Sequence, residues 1–130
     1  MAGRGIILRE AHYPGRAPIE AYGNGGFRFA DMSHRGSLVC LPSGIHGWQP
    51  ADPAALTAED FALVLAEAAG IEILLVGTGT DLRPLPAALR AAFKEARIAA
   101  EPMSTGAAVR TYNVLLAEDR AVAAAFVAVD

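Results

Sequence analysis

The segment Ile73-Leu74-Leu75-Val76 runs without a polar residue into Gly77-Thr78-Gly79-Thr80, and a helical pattern resumes after it. A strand that is apolar on both sides of its pleat has no solvent face, so it belongs in a sheet covered by helices on each side. That requirement points to a parallel or mixed α/β sheet with this segment as its central strand.

The rest of the second half agrees. Thr57-Ala58-Glu59-Asp60 has the form of a capping box with Asp in the place of Glu, and Phe61, Val64, Leu65 and Ala68 follow on one helical face until Gly70 stops it. Leu85, Leu89, Ala92 and Phe93 mark a second amphipathic helix, opened by Pro86 where a missing N–H costs little and ending near Arg97. A short strand over residues 99–103 comes next, then a third helix capped by Ser104 or Thr105 and running to Glu118, then a closing strand over 121–129.

The first half has a different texture. Glycines and prolines are frequent between Met1 and Pro53, and the short runs 19–22, 27–29 and 37–41 lie between turn signals, so they read as strands. Tyr22-Gly23-Asn24-Gly25-Gly26-Phe27 predicts a tight hairpin over 19–29, because Asn and Gly tolerate the positive φ that such turns require. Residues 45–49 predict one more short strand before Pro50. The expectation is a single α/β domain over 1–130, irregular over 1–18, with a meander followed by a mixed sheet that carries helices on both faces.

Composition narrows the function classes. A chain of 130 residues, 53% hydrophobic and 19% charged, buries about two thirds of its unfolded surface and needs no staples. Cys40 is the only cysteine, which excludes a disulfide framework and a Cys-based zinc site. Net charge is -3 and the ten arginines and one lysine are scattered, an argument against a nucleic-acid footprint. Ile6-Ile7-Leu8, between Arg4 and Arg9, is far shorter than a signal core or a membrane span. The expectation is a cytoplasmic protein with no direct membrane insertion.

Gly77-Thr78-Gly79-Thr80 sits where a dinucleotide fingerprint would, but the third glycine of G-x-G-x-x-G falls on Leu82 and the Gly-Lys of a Walker A loop falls on Leu82-Arg83. The two glycines read first as a tight turn. The functional reading that remains is a small polar or anionic ligand on the loop N–H groups beside Thr78, Thr80 and Asp81, of which Asp81 repels an anion. Ser104-Thr105-Gly106 opens a helix with free N–H groups, yet its dipole contributes only about 0.3–1 kcal/mol, so capping is its first role. No H-E-x-x-H or G-x-S-x-G pattern is present, and His12, His34 and His46 stand apart. Cys40 among Leu38, Val39 and Leu41 reads as an inert buried thiol. Trp48 reads as a plug at the core edge or an anchor for a partner. Arg110 and Asn113 share a helical face while Tyr112 turns toward Ala108 and Leu115 or Leu116. Tyr112 reads as core packing with its hydroxyl at the rim, and Asn113 as a hydrogen bond to the Gly77 loop backbone. The candidate pocket or interaction residues are thus Gly77, Thr78, Gly79, Thr80, Ser104, Thr105, Arg110, Tyr112 and Asn113, with no catalytic residue, metal or cofactor assigned.

Several of these segments recur as a set. Val76-Gly77-Thr78-Gly79-Thr80 with Pro84 and Pro86, Glu101-Pro102-Met103-Ser104-Thr105 with Ala107-Ala108, and Thr111-Tyr112-Asn113 with Glu118-Asp119-Arg120 resemble one small α/β family. It comprises mostly uncharacterised bacterial and archaeal proteins and includes mitochondrial respiratory complex I assembly factor three. Tyr22-Gly23 and residues 36–42 fit as well, so the resemblance covers nearly everything from Ile19 onward. It implies a three-layer fold, a central mixed β-sheet with helices on both faces plus a small N-terminal β meander. It carries over no catalytic residue and no cofactor. It implies a non-enzymatic interaction or assembly factor with protein partners in a membrane complex, peripheral to the inner membrane through a partner. The sequence shows no long import extension, so the expectation is a bacterial member. The alternative is a small-ligand-binding domain or enzyme built where the Gly77 loop and the Ser104 helix start converge with Arg110, Tyr112 and Asn113. A concave junction with converging polar groups favours that alternative, and a filled one favours a partner surface.

Overall fold

The structure, a computed structural model, describes residues 13–130. The Ile6–Leu8 run, His12 and most of the segment expected to be irregular lie outside the described residues. Strands β1 (Ile19–Gly23), β2 (Gly26–Phe29) and β3 (Met32–Arg35) form a three-stranded antiparallel sheet. The hairpin expected over 19–29 is present. Gly23 pairs with Gly26, and the two residues between them, Asn24 at φ 53° and Gly25 at φ 79°, are both left-handed, which matches the twist of the flanking strands. The next turn, Ala30-Asp31, is also left-handed at φ 47° and 62° but contains no glycine. It leads into β3, which the sequence reading did not contain.

The main sheet has five strands, β4 (Ser37–Leu41), β5 (Gly44–Trp48), β6 (Ile73–Gly77), β7 (Ala99–Met103) and β8 (Val122–Phe126), in the order β5-β4-β8-β6-β7. It is mixed, as expected: β6 runs parallel to β7 and β8, while β4 runs antiparallel to β5 and β8. The alternation of β6 shows why its sequence is apolar throughout. Leu74 and Val76 join one core with Phe61, Leu89 and Phe93, and Leu75 joins the other with Tyr112, Phe126 and the meander's Phe27 and Phe29. Each such buried side chain contributes on the order of 1.5–3 kcal/mol. One detail differs from the expectation. The strand β6 is interior, but the middle place belongs to β8, whose fully buried Ala123-Ala124-Ala125 leaves room for covering elements to approach both faces.

Helix α1 (Ala62–Ala66) is the middle of three short pieces, flanked by 3-10 turns at Ala58–Phe61 and Ala68–Gly70, where one continuous helix was expected. The Thr57 amide is capped by Asp60 Oδ2 at 2.8 Å as the pattern required. The Asp60 carbonyl, at the junction of the first 3-10 turn and the helix, also accepts the Trp48 indole N–H at 2.7 Å. Helix α2 (Ala87–Glu95) follows Pro86 and ends where Arg97 turns left-handed at φ 62°, letting the Ile98 amide return to the Phe93 carbonyl at 2.9 Å. Helix α3 (Thr105–Ala117) covers the opposite face, shared with the meander. Among the described residues, no helix is long and apolar enough to cross a membrane.

Candidate functional site

The carboxyl end of β6 meets the start of α3 in a closed junction. The Thr78 amide donates to the Met103 carbonyl at 2.8 Å, the Gly79 amide to Thr105 Oγ1 at 3.0 Å, and the Thr105 amide back to the Gly79 carbonyl at 2.8 Å. Thr105 Oγ1 then donates to the Val127 carbonyl at 2.7 Å, so one buried hydroxyl ties three segments together. Thr78 Oγ1 accepts from the Arg83 amide at 2.9 Å and directs its proton at the Asp81 and Met103 carbonyls. A Cβ on Gly77 would lie 3.0 Å from Thr105 Cα and 3.2 Å from Phe126 Cδ1, so this glycine permits close approach. Gly79, at φ 98°, permits the turn itself. Ser104 Oγ accepts from the Ala107 amide at 3.3 Å and caps α3. Thr80 alone of the loop is exposed, and with Thr78, Gly79, Asp81, Arg83 and residues 127–130 it lines a shallow depression of about 410 Å³.

The three candidate residues further along α3 do not join this junction. Tyr112 is buried against Phe126, ring centroids 5.8 Å apart and nearly perpendicular. Its hydroxyl hydrogen-bonds Cys40 in the core, which corrects the expectation of a hydroxyl at the rim. Burial pushes the Cys40 thiol up to about 12, against a smaller opposing effect of the Tyr112 hydroxyl. Burial also raises the Tyr112 phenol. Asn113 Oδ1 accepts from the Ile19 amide and Nδ2 donates to the Ile19 carbonyl, both at 2.8 Å. It therefore clasps β1, which corrects the expected bond to the Gly77 loop. Eight residues of helix separate it from Thr105, about 12 Å, too far to reach that loop. Arg110 is exposed, beside Gly106 and the Tyr22 hydroxyl that packs over it.

The nine candidates therefore divide: Gly77, Thr78, Gly79, Ser104 and Thr105 close a junction, of which Thr78 and Gly79 also line a shallow depression with Thr80, while Tyr112 is core, Asn113 is a clasp and Arg110 is surface. His34, on β3, has Nε2 3.0 Å from the Ser37 carbonyl, in a different sheet from Cys40. Among the described residues no group of His, Cys, Asp and Glu could hold a metal ion. Sequence reasoning missed one pairing on the surface. Arg28 and Arg35 come onto one face of the meander only through the register of β3, a strand with no local signal of its own.

A mixed five-stranded sheet between helices, with a meander on the α3 face and a threonine-locked junction at the sheet's carboxyl edge, defines a small three-layer α/β domain. The chain belongs to the DUF498/DUF598 family of proteins of unknown function, which matches residues 19–127. It is 40% identical over 117 residues to an uncharacterised protein of Rhodobacter capsulatus, covering 90% of this chain and 89% of that one. It is 30% identical over 122 residues to NADH dehydrogenase (ubiquinone) 1 alpha subcomplex assembly factor 3 of Mus musculus, covering 94% of this chain and 66% of that protein, just under two thirds of its length. Among solved structures, a Bartonella henselae protein described as an outer membrane protein superposes with a TM-score of 0.89 at 63% identity, covering 92% of this chain and all of that one. A Rhodopseudomonas palustris protein superposes with a TM-score of 0.80 at 42% identity, covering 92% and 88%. The family resemblance and the fold class read from the sequence are both correct.

Proposed function

We propose that this protein is a non-enzymatic interaction or assembly factor that helps build a membrane protein complex through direct protein contacts. The observation that carries this reading is the 30% identity, across 94% of the chain, to an assembly factor of NADH dehydrogenase. Two features of the molecule support it. The Thr78, Gly79 and Thr105 amides, which a loop-bound ligand would need, already donate within the chain. The one thiol is buried and held protonated far above neutral pH, so it offers no nucleophile. The surfaces are left to do the work, from a position at the periphery of the inner membrane, held there by the partner.

The test is capture of a tagged, natively expressed chain from separated inner and outer membrane fractions, with quantitative mass spectrometry of what accompanies it. The expected result is reproducible enrichment of the subunits of one inner-membrane complex, and a stalled subassembly of that complex in a deletion strain. Turnover of a metabolite by the purified domain, with no reproducible partner, would overturn the reading. So would metabolite-induced NMR shifts confined to residues 77–80.

A further inference from the structure

Three depressions on one side of the molecule run into one another. The first, about 380 Å³, lies over the outer face of the meander. The second, about 410 Å³, lies between β3 and the end of β5, and the third, about 230 Å³, lies beyond Trp48 against α1. The first two share Ser33, His34 and Arg35, and the last two share Gly47, Trp48 and Gln49, so together they form one groove.

The groove runs along strand edges. Strand β3 pairs only with β2, and β5 is the outermost strand of the main sheet. Tyr13 already pairs with the outer side of β5, exchanging both backbone bonds with Ile45 at 3.0 and 2.8 Å. Because backbone groups alternate along a strand, the Gly47 N–H and C=O face the same outer side, two residues further on. At the meander end, Arg28 stands opposite Ser33 and Arg35 opposite Gly26, which makes the two arginines diagonal neighbours on one face. Both are exposed. Neither has an ion-pair partner among the described residues, where Arg120 with Glu72 is the only pair. At the other end Trp48 is fixed by its N–H bond to Asp60 and by its edge contact with Phe61 at 5.1 Å, and Leu63 beside it is 50% exposed. Glu59 borders that end, which gives the groove an electrostatic direction.

We propose that this groove receives an extended segment of a partner protein. The segment adds to the edge of β5 at Gly47, places an acidic side chain between Arg28 and Arg35, and seats an apolar side chain against Trp48 and Leu63. Main-chain pairing at a strand edge supplies affinity with little sequence demand. The arginine forks select a carboxylate, and the rigid tryptophan is the kind of anchor on which interface energy concentrates. This inference rests on the assembly reading and deepens it by naming the surface and the chemistry of the partner.

The test places the photo-crosslinker p-benzoylphenylalanine at Gln49 in the full chain, irradiates native cells and sequences the crosslinked peptide. The expected product is a partner segment holding an acidic and an apolar residue. Its yield should fall about tenfold or more in the Arg28→Glu/Arg35→Glu variant, and partly recover in the double Arg→Lys variant. Gly47→Pro should lower it too, because it deletes the outward N–H with which the segment pairs, a donor the β4–β5 ladder does not use. Unchanged yield on charge reversal would overturn the proposal. Crosslinks to a second copy of this chain, to its own residues ahead of Tyr13, or to lipid would do the same. A partner captured by the tagged chain but crosslinked elsewhere sinks the groove and leaves the assembly reading standing, whereas metabolite turnover without a partner sinks both.

Discussion

Thr105→Val removes one oxygen and keeps the shape of a side chain that has no solvent exposure. The lost hydroxyl accepts from the Gly79 amide and donates to the Val127 carbonyl, so the variant strands one buried donor and one buried acceptor. Each of the two unpaired buried groups costs about 1–3 kcal/mol, and the added methyl returns less than about 1 kcal/mol, for a net loss of about 1–5 kcal/mol. Thr105→Ser is the control, since it keeps both bonds and loses only a methyl, about 1 kcal/mol. Urea denaturation followed by the fluorescence of Trp48, the only tryptophan, should rank wild type above Ser and Ser above Val, with unchanged slopes. Hydrogen exchange at the Gly79 amide should accelerate in the Val variant alone. If the Val variant proves as stable as the Ser variant, the hydroxyl does not fasten the junction between the loop, α3 and residue 127.

Four further outcomes rest on the same geometry. Gly77→Ala should destabilise by about 1–3 kcal/mol, because the Thr105 backbone and Phe126 that its Cβ meets cannot yield. Gly106→Ala should be neutral or stabilising by up to about 1 kcal/mol, because what it meets is the end of the half-exposed Tyr22, which swings away while the helix gains propensity; thermal melts should show a loss for Gly77→Ala alone, and a matching loss in both would refute the distinction. Cys40 holds its proton to about pH 12 in the fold but only to about 9.0 in the open chain, so its stabilisation is complete below pH 9 and declines by up to about 1.4 kcal/mol per pH unit above it. The raised Tyr112 phenol acts in the same sense at higher pH. Urea titrations across pH 8–10.5 should show a shallower decline for Cys40→Ala, and parallel declines would contradict the assignment. Asn113→Ala should cost about 1–3 kcal/mol and speed exchange of the Ile19 amide and its β1 neighbours, an effect that unchanged protection at Ile19 would rule out.

What could be read from the chain tracks how local each signal is. Strands β6 and β7 and helices α2 and α3 announce themselves through apolar period, Pro86, Ser104 and the glycines after Val76. The Asn24-Gly25 turn does so through backbone freedom. Strand β3 does not, because Met32-Ser33-His34-Arg35 has no apolar run and the Ala30-Asp31 turn takes a left-handed path without glycine. The break-up of α1 into three short pieces was not legible either, and the indole bonded to the Asp60 carbonyl beside it comes from a strand twelve residues away. At the candidate site, Gly77 and Gly79 were legible as a tight turn, and the structure has Gly79 at φ 98° there. The partner of Asn113 lies 94 positions away, and no pattern along the chain foretells it.

The place of β8 has a kinetic consequence. The β4–β5 hairpin and the β6–α2–β7 unit share no ladder except through residues 122–126, which pair with β4 on one side and β6 on the other. During synthesis both units must therefore wait, each with an apolar edge open, until this segment leaves the ribosome. Assembly of the sheet then depends on contacts across more than 80 positions, such as Val39 with Ala125, which favours slow folding and a period of aggregation risk. Deleting residues 122–126 alone would leave two half-sheets with nothing to join them.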